Sequence, residues 1–168
     1  MIRNSRGYTL IELIVVVVLI GLTLSLTIPR FRYALLTDDL KTTTRKMVGM
    51  INNLRNDAIR EQRDYFLRFD LESNRIWVDS PAMTEAERTM ALEKAFNLAE
   101  GVRILDIWFK GEGKKMAGET GIQVNRRGYV QPSVIHLGSD DGTGFTLVLN
   151  PFLRRVNILE SYVDFEDL

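Results

Sequence analysis

From Leu13 to Ile28 the chain runs for sixteen residues without a charge, and twelve of them are Leu, Ile or Val. Extending the stretch back to Leu10 gives nineteen residues with a single acid, Glu12. That is enough to cross the hydrocarbon core of a bilayer. The aliphatic side chains favour insertion by about 6 kcal/mol, whereas an acid at mid-membrane costs roughly 3 kcal/mol and less near a helix end, where Glu12 sits. Insertion is therefore expected despite the acid. An ionisable side chain inside an apolar span marks a functional site by default.

A secretory signal peptide accounts for only half of this pattern. Arg3 and Arg6 make a basic start without an acid. However, Ser25-Leu26-Thr27-Ile28-Pro29-Arg30 offers no small-residue cleavage site. A plain N-terminal anchor leaves Glu12 unexplained. The segment Arg6-Gly7-Tyr8-Thr9-Leu10-Ile11-Glu12, followed at once by the aliphatic run, resembles the prepilin signal of type IV pilins and type II secretion pseudopilins.

The resemblance implies that a prepilin peptidase cuts between Gly7 and Tyr8 on the cytoplasmic side and that Tyr8, in place of the usual Phe, is then N-methylated. It implies that Glu12 is an assembly residue, paired in a filament with the freed amine of a neighbouring subunit. It also implies a single-pass inner-membrane protein with its N-terminus in the cytoplasm and its C-terminal domain in the periplasm. Local chemistry agrees with this: Gly7 leaves the backbone open to a protease, the two leader arginines favour the cytoplasm, and a buried carboxylate needs a partner.

Beyond the run, Gly21 and Pro29 are weak points for a helix. Helical periodicity then resumes, with Leu40, Met47, Ile51, Leu54 and Ala58 on one face and Arg45, Asn52, Asn56 and Arg63 opposite. After Gln62 the period changes to two. Leu67, Phe69 and Leu71 alternate with charged residues, and Ser73-Asn74 turns into Ile76-Trp77-Val78, a hairpin. A helix is expected over 84–98, opened by a capping box in Thr84-Glu85-Ala86-Glu87. Strands are expected over 102–108, 122–125, 134–137, 145–149 and 156–159, with turns between them.

The order predicts an α+β, pilin-like fold in which a long N-terminal helix packs on a mostly antiparallel β-sandwich or sheet domain. The expected parts are a leader over 1–7, a transmembrane and assembly helix over 8–29, an amphipathic periplasmic half over 30–62 and a periplasmic β-rich domain over 63–168. This arrangement is similar to the H-type (GspH) minor pseudopilins of type II secretion and to the related FimT-like minor pilins.

Composition narrows the chemistry. The chain has no cysteine, which removes disulfides and thiolate chemistry, and one histidine, His136, which removes His-pair zinc sites. His136 reads as a surface or edge-strand residue, and no metal or other cofactor is expected. Ser139-Asp140-Asp141-Gly142-Thr143-Gly144 has carboxylates and glycines that suit calcium but not the EF-hand spacing, and reads as a solvated turn. Gly111–Gly118 fits neither phosphate-loop pattern.

Lys+Arg 22 balance Asp+Glu 22, which disfavours a dedicated nucleic-acid binder. The pairs Lys114/Lys115, Arg126/Arg127 and Arg154/Arg155 could form a positive patch, and the alternative is a FimT-like minor type IV pilin involved in pilus assembly or DNA uptake. With no nucleophile or acid–base constellation in view, the expected role is non-enzymatic. It is that of a structural subunit of the pilus-like filament that drives protein export, with other pseudopilins, the prepilin peptidase and the inner membrane as partners.

Overall fold

A computed structural model describes the backbone of residues 9–153 and 155–164, with the side chains of residues 24–37 left out. The chain forms two compact units, Met1–Leu35 and Leu36–Leu168. Helix α1 spans Leu10–Glu61 and continues through Gly21 and Pro29. Among the described residues, no helix is long and apolar enough to cross a membrane. The aliphatic run read from the sequence extends to Ile28, beyond the last described side chain of the first unit at Thr23.

Within the second unit, the predicted stripe of α1 is the buried one. Leu40, Met47, Ile51, Leu54 and Ala58 are each at most 3% exposed. Arg45 and Asn56 face solvent. The helix ends where Gln62 takes a left-handed backbone, φ 53°, and its side-chain amide donates to the Ile59 carbonyl at 2.8 Å.

Strand β1 (Tyr65–Asp70) then alternates as predicted, with Tyr65, Leu67 and Phe69 buried. It pairs antiparallel with β2 (Arg75–Asp79) through a tight turn. Asp70 holds that turn by accepting the amides of Glu72 and Ser73, and Asn74 takes φ 53°. Helix α2 (Glu85–Glu93) opens on the predicted capping box: the Thr84 amide donates to Glu87 Oε2 at 2.7 Å, and the Glu87 amide donates to Thr84 Oγ1 at 3.3 Å.

α2 is shorter than the expected 84–98. Phe96 and Asn97 leave it to form strand β3 (Phe96–Asn97) against Ile76 and Arg75 of β2. Edge pairing for β2 and contact of Phe96 with the core outweigh another helical turn.

The remaining strands are β4 (Val102–Phe109), β5 (Gly113–Lys115), β6 (Glu119–Val124), β7 (Ser133–Ser139), β8 (Gly144–Leu149) and β9 (Asn157–Leu159). They complete two antiparallel sheets, ordered β3-β2-β1-β6 and β5-β4-β7-β8-β9. One apolar core joins the α1 stripe, the inner face of the first sheet and Ile104, Ile107, Ile135, Leu137 and Leu147 of the second.

A polar clamp ties the helix to the loop after β8. Arg55 is buried, and its guanidinium donates to the carbonyls of Leu153 at 2.8 Å and Asn150 at 3.1 Å. Burial lowers its pKa from the ordinary arginine value. Next to it, the turn Asn125–Gly128 closes against α1. Gly128 has φ 80°, and a Cβ there would come 2.6 Å from Ile59 Cδ1.

Two outcomes test this architecture. Ile51→Ala should lower unfolding free energy by about 2–4 kcal/mol, while Asn53→Ala, on the exposed face, stays within about 0.5 kcal/mol. Equal midpoints in denaturant titrations of the two variants would contradict the assigned face. Arg55→Met should cost about 1–3 kcal/mol and speed amide exchange in residues 150–153, because two carbonyls lose a charged donor. Unchanged exchange there would show that the clamp does not hold the loop.

Candidate processing and assembly site

The helix start is built from Thr9 and Glu12. Thr9 stands just before Leu10, the first helical residue, and its carbonyl accepts the Leu13 amide at 3.2 Å. The Glu12 amide donates to Thr9 Oγ1 at 3.3 Å, and the Thr9 amide donates to Glu12 Oε2 at 3.4 Å. This reciprocal pair is a capping box, in which an acid three residues into the helix satisfies an otherwise orphan amide. The same Thr-x-x-Glu signal that identifies the start of α2 is present in Thr9-Leu10-Ile11-Glu12, so this role of Glu12 was readable from the sequence. Gly7 and Tyr8 lie outside the described residues.

From Leu13 to Leu22 the helix surface is apolar on all sides. Leu13, Ile14, Val15, Val16, Val17, Val18, Leu19, Ile20 and Leu22 are all exposed; Leu10 is 76% and Val17 61% accessible. Thr23, which follows, donates to the Leu19 carbonyl at 2.8 Å and so presents no free polar donor to its surroundings. A helix apolar all round is normally buried in lipid or in an assembly. Among the described residues from Leu10 to Thr23, the only ionisable side chain is Glu12, exposed near the N-terminal end.

The other sequence candidates fall elsewhere. Asp141 accepts the Thr143 amide at 2.8 Å and the Ser139 hydroxyl, while Asp140 pairs with Arg103 at 2.9 Å, so the Ser139–Gly144 carboxylates serve a hairpin turn. In the Gly111–Gly118 segment, Lys114 lies on edge strand β5 and its ammonium reaches the Tyr162 hydroxyl at 2.8 Å and Asp164 at 3.2 Å. Arg127 lies beside Ile59, Tyr129, Phe152 and Leu153 in a groove next to α1. Lys114 and Arg127 thus belong to different parts of the fold, and Arg154 lies outside the described residues.

His136 corrects the sequence reading. It is not a surface or edge residue: it is fully buried in β7, the middle strand of the five-stranded sheet. The alternation placed it correctly on the face opposite Ile135 and Leu137. That outer face is covered, however, by the segment that follows β9.

A register shift at Leu105 puts Asp106 directly across from His136, and Thr146 of β8 is the cross-strand neighbour on the other side. The bulge turns Asp106 outward beside His136, and Gly138 leaves room for Leu105, whose Cδ1 would stand 2.9 Å from a Cβ there.

His136 Nδ1 lies 2.6 Å from Asp106 Oδ1, and Nε2 lies 2.9 Å from the Val163 carbonyl. Tyr162 stacks on the imidazole at 4.1 Å and donates its hydroxyl to Asp106 Oδ2 at 3.1 Å. Thr146 donates to the Ser161 carbonyl at 2.7 Å and accepts the Val163 amide at 3.0 Å. Sequence reasoning passed over Asp106. The available signal was one acid between the apolar neighbours Ile104-Leu105 and Ile107-Trp108 in strand β4.

Comparison with known proteins agrees with this picture. The prokaryotic N-terminal methylation motif matches residues 2–28. The chain is 28% identical over 147 residues to the type II secretion system protein H of Pseudomonas aeruginosa, covering 88% of this chain and 84% of that protein. Two structures of the minor pseudopilin EpsH from the type 2 secretion system of Vibrio cholerae share its fold. One has TM-score 0.54 at 15% identity, over 76% of this chain and 97% of the other. The second has TM-score 0.51 at 14% identity, over 73% and 97%. The chain thus joins a prokaryotic N-terminal methylation motif to a body with the minor-pseudopilin fold, and the resemblance to H-type minor pseudopilins read from its sequence is borne out.

Proposed function

We propose that this chain is a minor pseudopilin of type II secretion, a non-enzymatic subunit of the short pilus-like filament that drives protein export. The observation that carries this reading is the helix over Leu10–Leu22, apolar on all sides, exposed along its described length and carrying one acid near its start. Such a surface needs lipid before assembly and neighbouring helices after it. The methylation motif over residues 2–28 and the similarity to a type II secretion protein H support the same reading.

On this reading the prepilin peptidase cuts between Gly7 and Tyr8 and Tyr8 is methylated. The chain then sits in the inner membrane with its N-terminus in the cytoplasm and the unit from Leu36 onward in the periplasm. Other pseudopilin subunits are its partners. Glu12 meets the freed amine of a neighbour in apolar surroundings, where each charge alone would be costly and the pair is retained. The cut removes Arg3 and Arg6, so 20 basic side chains face 22 acidic ones and the formal charge becomes −2.

Two experiments test this. Co-expression with the peptidase should yield an intact mass lacking residues 1–7 and carrying one extra methyl; an uncleaved chain would remove the reading. Glu12→Ala should insert into membranes as the parent does but reduce incorporation into filaments, read by cross-linking and by cargo export, by tenfold or more. Normal export from cells carrying only that variant would contradict the assembly role.

A further inference from the structure

The row Asp106, His136 and Thr146 crosses three adjacent strands on the outer face of the five-stranded sheet, and all three residues are at most 3% exposed. Each bonds the segment running from β9 to Asp164. Asp106 accepts from Tyr162, His136 meets the Val163 carbonyl, and Thr146 bonds both the Ser161 carbonyl and the Val163 amide. Lys114 adds an outer tie through Tyr162 and Asp164. The segment covers this face through polar bonds, and one of these groups changes its proton count near neutral pH.

The geometry fixes how many protons the central pair holds. Nε2 faces a carbonyl oxygen, which only accepts, so Nε2 carries a hydrogen. Nδ1 faces a carboxyl oxygen at 2.6 Å, so one further proton lies between those two atoms, whichever holds it. If that proton leaves, a single hydrogen remains for two acceptors. On Nε2 it keeps the Val163 bond but turns a bare Nδ1 toward the carboxylate. On Nδ1 it keeps Asp106 but turns a bare Nε2 toward the Val163 carbonyl. Both arrangements press acceptor on acceptor in a site closed to water, which is costly.

We infer that Asp106 and His136 form a pH-governed latch on the C-terminal strap, residues 160–164, which follows β9: the strap stays closed while the pair keeps its shared proton and lifts from the sheet when that proton is lost. The inference stands on this geometry and does not depend on the pseudopilin reading.

The electrostatics support the sign. Burial alone would lower the His136 pKa, but the hydrogen bonds to Asp106 and the Val163 carbonyl, with the Asp106 charge, outweigh it, and Lys114 opposes them weakly. The result lies above the ordinary histidine value. A pKa raised in the closed state favours closure fully below the open-state value of about 6.5 and loses that contribution as pH rises through the closed-state value. Asp106 faces the imidazole from β4, Lys114 from β5 and Tyr162 from the strap, while Thr146 of β8 is neutral. Lys114 does not titrate in this window, because the Tyr162 hydroxyl and Asp164 hold its pKa above the ordinary lysine value.

The test uses the untagged full-length chain in detergent micelles. Amide exchange of residues 160–164 is followed from pH 5.5 to 9 and divided by the chemical rate at each pH. Protection of the strap should fall by about tenfold for each unit separating the closed-state and open-state titrations, while β7 and β8 keep theirs. In His136→Gln, an uncharged side chain that retains a donor, the profile should be flat. Because His136 is the only histidine, imidazole nitrogen shifts of the 15N-labelled parent chain report it without ambiguity even if the variant does not fold. They should show loss of one proton at the pH where the strap opens. A pH-independent parent profile, a drop that persists in His136→Gln, or a His136 midpoint away from the opening midpoint would each overturn the latch.

Discussion

An α-helix satisfies its own backbone hydrogen bonds, so its side chains alone decide what surroundings it needs. The single element α1 states two different needs. From Leu10 to Leu22 its described surface is apolar on every side, and it leaves that surface exposed. From Leu40 to Ala58 it is apolar on one stripe only, and the two sheets bury that stripe to within 3% of full closure. The second requirement is met inside the chain, while the first calls for lipid or for other chains. The body needs no help to close its core, whereas the start of the helix has no finished environment by itself.

The parts of the fold legible in the sequence are those where side-chain period and burial coincide. Leu40, Met47, Ile51, Leu54 and Ala58 recur at helical spacing and are the core face of α1. Tyr65, Leu67 and Phe69 recur at a spacing of two and point into the same core. Local chemistry was equally readable at Thr84–Glu87, where two reciprocal bonds start α2. The end of α2 was not. Nothing local distinguishes Phe96 and Asn97 from one more helical turn, and the decision belongs to β2, distant in sequence, which offers them a strand partner.

His136 marks the limit more sharply. Alternation reports which face of a sheet a side chain occupies but not whether that face is wet. The histidine was placed on the correct face and given the wrong surroundings, because the strap that covers it comes more than twenty residues later and is itself largely polar. The bulge at Leu105, which sets Asp106 opposite His136, has no local signature, since any residue of β4 could have been the extra one. What remained legible was compositional: one acid between Leu105 and Ile107, and the chain's one histidine between Ile135 and Leu137. Two such residues in neighbouring strands are far easier to bury together than apart.

Glu12 has a local partner as well as the proposed distant one, and magnitudes order the two. In water its capping bonds to Thr9, at 3.3 and 3.4 Å, contribute about 1 kcal/mol at most. They steady the first turn and orient the carboxylate. In apolar surroundings the same carboxylate without a cation costs several kcal/mol, and the single amide it accepts, that of Thr9, does not offset that. A freed α-amine brings a full charge and shorter, charge-assisted bonds. The cap therefore sets the starting direction of the acid, and the surroundings decide its final partner. That order allows one side chain to begin a helix in an isolated chain and to fix the register between chains once water has gone.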